Sequence, residues 1–176
     1  PACGWDVYIE NRNYSEALAV LDEDANRNRQ LGIEEASRYR IFTLWLMDEQ
    51  ALLAQGLPDW QRQLELMDAG GTQTHVESAL LSGIQGNLKD VEKSFQLWNR
   101  QEDMDWAERI TSRHHICRIL GMIGATPAAV QCVRDGLEEP SYIDPLVEPY
   151  LPFYDSIREE PEFSEMLLDI DAEKGA

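Results

Sequence analysis

Apolar residues recur along this chain every three or four positions, the interval that places side chains on one side of an α-helix. One such stripe runs through Leu88, Val91, Phe95 and Trp98. A second comprises Tyr14, Ala17, Leu18, Leu21 and Ala25. No stretch alternates apolar and polar residues with the period of two that a half-buried strand requires. The pattern therefore predicts an all-α protein.

Turn signals divide this pattern into helices of about 12 to 20 residues joined by short turns. The predicted turns contain Gly32, Gly56, Gly70-Gly71, Gly86-Asn87 and Gly124. Thr126 before Pro127 is typical of a helix start, and Leu57-Pro58-Asp59 predicts another. Thr74 and Glu77 have the spacing of a capping box. Because the turns are short, consecutive helices should be antiparallel neighbours.

The segment from residue 34 to residue 55 is apolar on nearly every side. We expect it to form a helix that other helices cover on more than one face. Its longest apolar stretch, residues 41–47, is followed by Asp48 and Glu49. It therefore falls short of the roughly 20 apolar residues that a membrane-spanning helix needs.

Superimposing the predicted turns reveals an internal similarity. A small residue lies seven positions before each of two glycines, and an apolar residue lies five positions after each glycine. These residues are Cys117 and Ala129 around Gly124, and Ala79 and Val91 around Gly86. Taking Ala17, Trp60, Val91 and Ala129 as equivalent gives spacings of 43, 31 and 38 residues. The similarity predicts an irregular array of helical hairpins.

In these features the chain resembles the tetratricopeptide repeat family, whose motif of about 34 residues joins two antiparallel helices. The best-matching residues are Ile116, Cys117, Leu120, Gly124, Ala129, Val133, Gly136 and Leu137, with Pro140 near the family's repeat-ending proline. Tyr14, Glu16, Ala17 and Leu21 match the second helix of the motif. The resemblance implies antiparallel hairpins stacked as a right-handed superhelix.

The C-terminal run resembles the closing segment of tetratricopeptide regions in bacterial multidomain regulators. It matches through Ile157, Arg158, Pro161, Phe163, Met166 and Leu167. Phe163, Met166, Leu167 and Ile170 predict a last amphipathic helix that caps the open end of the stack. We expect repeats over residues 1–143, and an extended segment with a capping helix of the same domain over residues 144–176.

The chain carries 33 acidic against 15 basic residues, which gives a net charge of −18. Such a surface repels phosphate backbones and anionic lipids. We therefore expect a domain that binds neither nucleic acid nor membranes.

The three cysteines, Cys3, Cys117 and Cys132, form no C-x-x-C pair and are too sparse for a disulfide scaffold. Cys117 and Cys132 flank Gly124 at similar distances, so they lie at one level on antiparallel helices. A disulfide needs Cα atoms within roughly 7 Å, whereas helix axes are usually about 8–10 Å apart. Geometry leaves the bond open, and we favour two free thiols in the reducing cytoplasm.

Patterns that would indicate catalysis or metal binding are weak. His114 and Cys117 share a helix face, but two ligands without further partners rarely make a zinc site. The Gly-Met-Ile-Gly sequence at residues 121–124 lacks the Lys-Ser/Thr of a phosphate loop. Acidic runs such as residues 22–24 are typical of a solvated helix surface. We therefore predict no enzyme activity, no metal and no cofactor.

The resemblance implies that the first helices of the hairpins line a concave groove for a partner. Near Gly124 the groove residues would be His114, Arg118 and Met122. The preceding hairpins would contribute Val76, Leu80, Ile84 and Gln50. An apolar floor with an Arg-His edge suits a protein or peptide partner with an acidic group. Alternatively, the C-terminal segment or a second copy of the chain, as a homodimer, fills this groove.

Together these features predict a non-enzymatic protein–protein interaction module, which the resemblance implies is the regulatory part of a larger signalling or transcription protein. The alternative function is a sensor that binds a small ligand between helical hairpins. A bound molecule or an enclosed apolar cavity would favour the sensor.

Overall fold

A computed structural model describes residues 4–30, 37–66, 72–100, 106–139 and 141–174. Within these ranges every regular element is helical, which confirms the all-α prediction. The α-helices are α1 (Trp5–Glu10), α2 (Tyr14–Gln30), α3 (Ser37–Leu46), α4 (Gln50–Leu66), α5 (Thr72–Ile84), α6 (Leu88–Asn99), α7 (Trp106–Met122), α8 (Thr126–Glu138) and α9 (Pro161–Lys174). Two 3₁₀ turns, Glu148–Tyr150 and Pro152–Ile157, precede α9. None of the described helices is long and apolar enough to cross a membrane.

The chain divides into two compact units, Pro1–Gln63 and Leu64–Ala176. The first unit contains α1 to α3 and most of α4, and the second contains α5 to α9. The predicted boundary between residues 143 and 144 is of another kind, because it separates the repeats from the C-terminal segment. That boundary stays a prediction.

Four turns within the described residues end a helix in the same way. The residue in the left-handed conformation is Arg12, Asp48, Gly86 or Gly124, with φ of 57°, 56°, 72° and 75°. Its N–H bonds to the carbonyl three residues earlier, and the next N–H bonds to the carbonyl five residues before itself, at 2.8–3.1 Å. This pair of bonds is the Schellman arrangement, which satisfies the last carbonyls of a helix. The predicted turns at Gly86 and Gly124 are confirmed.

These four corners are 36, 38 and 38 residues apart. Five residues after each corner the structure buries an apolar side chain: Ala17, Leu53, Val91 and Ala129. Seven residues before each corner it buries another: Trp5, Ile41, Ala79 and Cys117. Leu53 therefore occupies the repeat position that the superposition of predicted turns assigned to Trp60. The repeat is more regular than predicted.

The prediction of a turn at Gly56 is wrong, because Gly56 and Pro58 both lie inside α4. The single helix predicted for residues 34–55 is also wrong, since the corner at Asp48 separates α3 from α4. Aspartate tolerates the left-handed conformation better than most residues. The side-chain amide of Gln50 also donates to Asp48 Oδ1 at 2.9 Å. A corner without glycine gives the sequence no turn signal.

Two predicted helix starts differ from those in the structure. The predicted capping box is wrong, because α5 begins at Thr72 and Glu77 is buried within the helix. Thr126 and Pro127 open α8 as predicted, although Ala125 holds the cap position. The predicted turns at Gly32 and at residues 70 and 71 lie outside the described residues.

In the first unit, α1 packs against α2 and α2 against α3. The Trp5 indole N–H donates to Thr43 Oγ1 at 2.9 Å, and the Trp5 ring meets the Tyr39 ring at 4.7 Å. These contacts join α1 to α3, the first helices of two consecutive hairpins. Arg40 of α3 also pairs with Asp22 of α2.

In the second unit, α5 packs with α6 and α7 with α8 as two helical hairpins. Helices α5 and α7 also pack on each other. Residues 141–160 then cross back over α7, and we call them the strap. The predicted last amphipathic helix is confirmed as α9, which packs on α8 and buries Phe163, Met166 and Ile170.

Candidate functional site

The contact between α5 and α7 brings together the helices that carry six of the seven predicted groove residues. Val76, Leu80 and Ile84 lie on α5, and His114, Arg118 and Met122 lie on α7. Val76 and Leu80 are fully buried, whereas Ile84, His114 and Met122 are half-buried. The seventh residue, Gln50, is exposed on α4 in the first unit. Their role in partner binding stays a prediction.

Arg118 does not line an open groove, because it is only 6% exposed and already holds a carboxylate of its own chain. Its Nε and Nη2 donate to the two carboxylate oxygens of Glu148 at 2.8 and 2.7 Å. Glu148 is itself 3% exposed, and the Arg118 guanidinium lies 4.8 Å from the Phe153 ring centre. The acidic group predicted to come from a partner is supplied by the strap.

Tyr154 completes this buried cluster by donating its hydroxyl to Glu148 Oε1 at 3.0 Å. Burial raises the pKa of Tyr154 well above its ordinary value of 10.0, and the negative charge of Glu148 raises it further. Arg118 opposes this rise in the pKa but does not cancel it. The phenol therefore stays protonated and acts as a hydrogen-bond donor.

The strap lies against α7 at a glycine. A Cβ on Gly121 would come within 2.6 Å of the Tyr154 ring and 2.7 Å of the Phe153 carbonyl oxygen. The Ser156 hydroxyl donates to the Gly121 carbonyl at 2.6 Å. At Arg118 and Gly121 the C-terminal segment thus occupies the face of α7, which was the alternative considered from the sequence.

A second buried arginine forms ion pairs between α7 and the C-terminal end of α8. Arg113 is buried, pairs with Glu139, and lies 3.8 Å from an Asp135 carboxylate oxygen. Its guanidinium is 5.5 Å from the centre of the Trp98 ring, and the Trp98 indole N–H donates to Ser112 at 2.9 Å. These charges are held in structural pairs within the second unit.

The preference for free thiols is wrong, because Cys117 and Cys132 form a disulfide between α7 and α8. Their Cα atoms are 5.4 Å apart, inside the range a disulfide spans. Both cysteines are buried, and the buried small residues Ala129 and Gly136 on α8 accompany this close approach. The cysteine pattern therefore no longer favours a reducing compartment, and the cytoplasmic location stays a prediction.

The two adjacent histidines lie side by side, with ring centres 3.8 Å apart. The His114 and Tyr142 rings form a T-shaped pair with their centres 6.2 Å apart. Because Cys117 is bonded to Cys132, it has no thiolate to share with His114 in a zinc site. Among the residues that the structure describes, no group of three or more histidine, cysteine or acidic side chains is arranged to hold a metal ion.

The outer side of the strap exposes large apolar side chains. The exposed fraction is 62% for Leu146, 37% for Val147 and 38% for Tyr150. The Tyr150 hydroxyl donates to Asp171 of α9 at 2.7 Å, one helical turn from Leu168, which is 69% exposed. We call Leu146, Val147, Tyr150 and Leu168 the strap surface. Sequence reasoning missed it because the strap is irregular and shows no helical period.

The first unit contains a cavity of about 220 Å³ between α3 and α4, which is partly open to solvent. It is lined by Arg40, Ile41, Leu44, Leu52, Leu53, Gln55, Gly56, Asp59 and Trp60. Trp60 is buried, and its indole N–H meets no acceptor among the described residues. A Cβ added to Gly56 would meet nothing within 4 Å, so the space beside it is open.

Comparisons of the chain with protein-family models, with curated proteins and with solved structures find no match. The candidate function therefore depends on the geometry of the corners, the strap and the cavity.

Proposed function

We propose that the chain is a non-enzymatic protein-binding module built from helical repeats of tetratricopeptide type. The carrying observation is the recurrence of one corner at intervals of 36, 38 and 38 residues, with apolar burial at the same offsets. Repeats of this kind present extended surfaces that bind other proteins. We further propose that the hairpins continue as a right-handed superhelix.

Packing within each unit supports this proposal. First helices of consecutive hairpins meet in both units, α1 with α3 through Trp5 and Thr43, and α5 with α7. Helix α9 covers α8 and buries one face of its own, as a terminal cap of such an array would.

The buried polar groups of the second unit support binding over catalysis. Arg118 is saturated by Glu148, Glu148 also accepts from Tyr154, and Arg113 is held by Glu139 and Asp135. A catalytic cluster needs groups that converge on a space for substrate, whereas these groups converge on one another. We accordingly propose a regulatory protein-binding role with a protein or peptide partner.

The test is a purified interaction with the natural partner. The full chain, immobilised by one end, is exposed to source-cell extract, and each retained protein is purified and titrated back by calorimetry. We expect at least one to bind saturably with fixed stoichiometry. If none does and light scattering shows only self-association, the chain is a homo-oligomer and the proposal is wrong.

A small-ligand sensor is the second candidate function, favoured by the cavity between α3 and α4. Its walls are mostly apolar, with Ile41, Leu44 and Leu53 among the lining residues. Mostly apolar walls with a few polar groups are typical of small-molecule sites.

Cavity filling tests the sensor. Gly56→Leu places a side chain in the open space beside Gly56, whereas Gln61→Leu adds the same side chain at an exposed position of α4. Mass spectrometry under native conditions should detect a co-purifying small molecule on the wild type and on Gln61→Leu, but not on Gly56→Leu. If no small molecule co-purifies with any of the three proteins, the sensor function is wrong.

A further inference from the structure

The strap surface spans two elements of the second unit, which the Tyr150–Asp171 hydrogen bond joins. The Tyr150 amide bonds to the Val147 carbonyl at 3.0 Å, so these two side chains are one turn apart. The Tyr150 hydroxyl reaches Asp171, and Leu168 lies on the same helix three residues before it. Contiguous exposed apolar groups rimmed by polar ones mark interaction sites on soluble domains.

The rim of this surface is acidic. The Asp144 carboxylate accepts from the Leu146 amide at 2.7 Å, and Asp171 accepts from Tyr150. On α9 the exposed Glu165 lies one turn before Leu168. Residues 138–174 contain twelve acidic and two basic residues. Arginines of α7 and α8 pair with three of the acidic ones, Glu139, Glu148 and Asp169, so nine acidic residues remain against the two basic ones. An apolar partner without positive charge would leave this negative potential uncompensated.

We propose that the strap surface binds a basic polypeptide segment that presents apolar side chains between lysines or arginines. This inference rests on the proposed protein-binding function and names the chemistry of its partner. The apolar side chains would cover Leu146, Val147, Tyr150 and Leu168, and the basic groups would meet the carboxylates of the rim. Charge complementarity of this kind sets specificity and speeds association.

The partner chemistry differs from the acidic group expected for the groove. Arg118 would have to release Glu148 to accept an acidic partner, which would leave Glu148 buried beside Tyr154 without its counterion. Uncompensated buried charges are strongly unfavourable. The outer side of the strap is open, whereas the site at Arg118 is closed by the strap itself.

The test uses a fluorescently labelled helical peptide of leucine and lysine with all leucines on one face, and the same peptide with glutamate in place of lysine. Binding to the full chain is followed by fluorescence anisotropy at two salt concentrations. We expect saturable binding of the lysine peptide that weakens as salt rises, because screening reduces the attraction between exposed charges. The glutamate peptide should bind at least about tenfold more weakly.

Matched variants locate the binding. The double substitution Leu146→Ser with Leu168→Ser removes two strap-surface side chains and should weaken the lysine peptide by about tenfold or more. Leu88→Ser with Leu97→Ser removes two exposed leucines from α6 in the same unit and should change the affinity less than about twofold. Equal losses in the two double variants, or unchanged binding in the first, would overturn the proposal.

The outcomes separate this inference from the proposed function. A natural partner that binds equally well to wild type and to the Leu146/Leu168 variant leaves the protein-binding function standing and removes the strap surface as its site. Loss of that partner in this variant, with retention in the Leu88/Leu97 variant, supports both. If no natural partner is recovered, the function fails, whereas the peptide measurement still decides the chemistry of the surface.

Discussion

The two units use the same helical corner but differ in how they complete their packing. In the second unit the corners are glycines, and the strap seals α7 with a buried ion pair and a tyrosine. In the first unit the corners are Arg12 and Asp48, and a cavity remains between α3 and α4. A repeated backbone turn therefore does not determine how the adjacent layer of side chains is packed.

The largest expected effect concerns an arginine pair in each unit. Arg118→Ala should lower the free energy of unfolding by about 3–5 kcal/mol, because it leaves Glu148 charged and buried without its partner. Arg40→Ala removes the more exposed pair with Asp22 in the first unit and should cost about 1 kcal/mol or less. Urea unfolding followed by circular dichroism measures both.

A double variant tests whether the unpaired charge causes this loss of stability. Arg118→Met with Glu148→Leu removes both buried charges and should recover much of the stability lost in Arg118→Ala. If Arg118→Ala were no more destabilising than Arg40→Ala, the buried pair would not be what holds the strap on α7.

The next effect concerns two helical glycines with opposite surroundings. Gly121→Ala should destabilise the protein by about 1–3 kcal/mol, since its Cβ would overlap the Tyr154 ring and the Phe153 carbonyl. Gly56 lies within α4, and a Cβ added there would meet open space. Gly56→Ala should therefore stabilise the protein by about 1 kcal/mol, because alanine favours a helix. Thermal unfolding of the two variants should shift in opposite directions. Equal shifts would contradict the difference between a sealed and an open layer.

The corners themselves should respond in opposite senses. Gly124→Ala places a Cβ in the left-handed conformation and should cost about 1–2 kcal/mol. Asp48→Gly relieves a non-glycine residue of that conformation and should gain about 1 kcal/mol or less. Denaturant midpoints of both variants measure the difference, and a loss of stability in Asp48→Gly would show that the Gln50 contact outweighs the backbone relief.

The smallest change should be in the pH dependence of stability, and it should come from Tyr154, whose pKa is raised by burial and by Glu148. A raised pKa in the fold means that the stabilisation is fully present below the ordinary value of about 10 and is lost as the pH rises above it. Unfolding free energies measured between pH 8 and pH 11 should therefore fall above about pH 10 in the wild type. Tyr154→Phe should flatten that fall. The same slope in both proteins would exclude Tyr154 as its cause.

Several elements could be predicted from the sequence because their signals are local. The helical period at Leu88, Val91 and Trp98 predicted α6, and the glycines at 86 and 124 predicted two of the corners. The apolar spacing of Phe163, Met166 and Ile170 predicted α9. Each of these depends on side-chain spacing or on the freedom of glycine at positive φ, which are properties of a few adjacent residues.

Other features depended on residues far apart in the chain. The corner at Asp48 carries no glycine, so the turn was placed at Gly56 and the repeat was misaligned by seven residues. Arg118 has the pattern of an exposed groove residue on α7, but Glu148, thirty residues later, covers it. The disulfide needed the distance between α7 and α8, which small residues near the crossing shorten.

Local signals in the chain specify short helices in hairpins, because helical period and turn residues involve only neighbouring positions. The composition specifies a strongly acidic surface. Tertiary packing selects the charges that are buried in pairs, the cysteines that bond, and the apolar residues that stay exposed. Those outcomes depend on the packing of α7 against α8 and on the path of the strap over α7. That path is selected by the sum of many weak contacts between distant residues, none of which has a signal in the sequence alone.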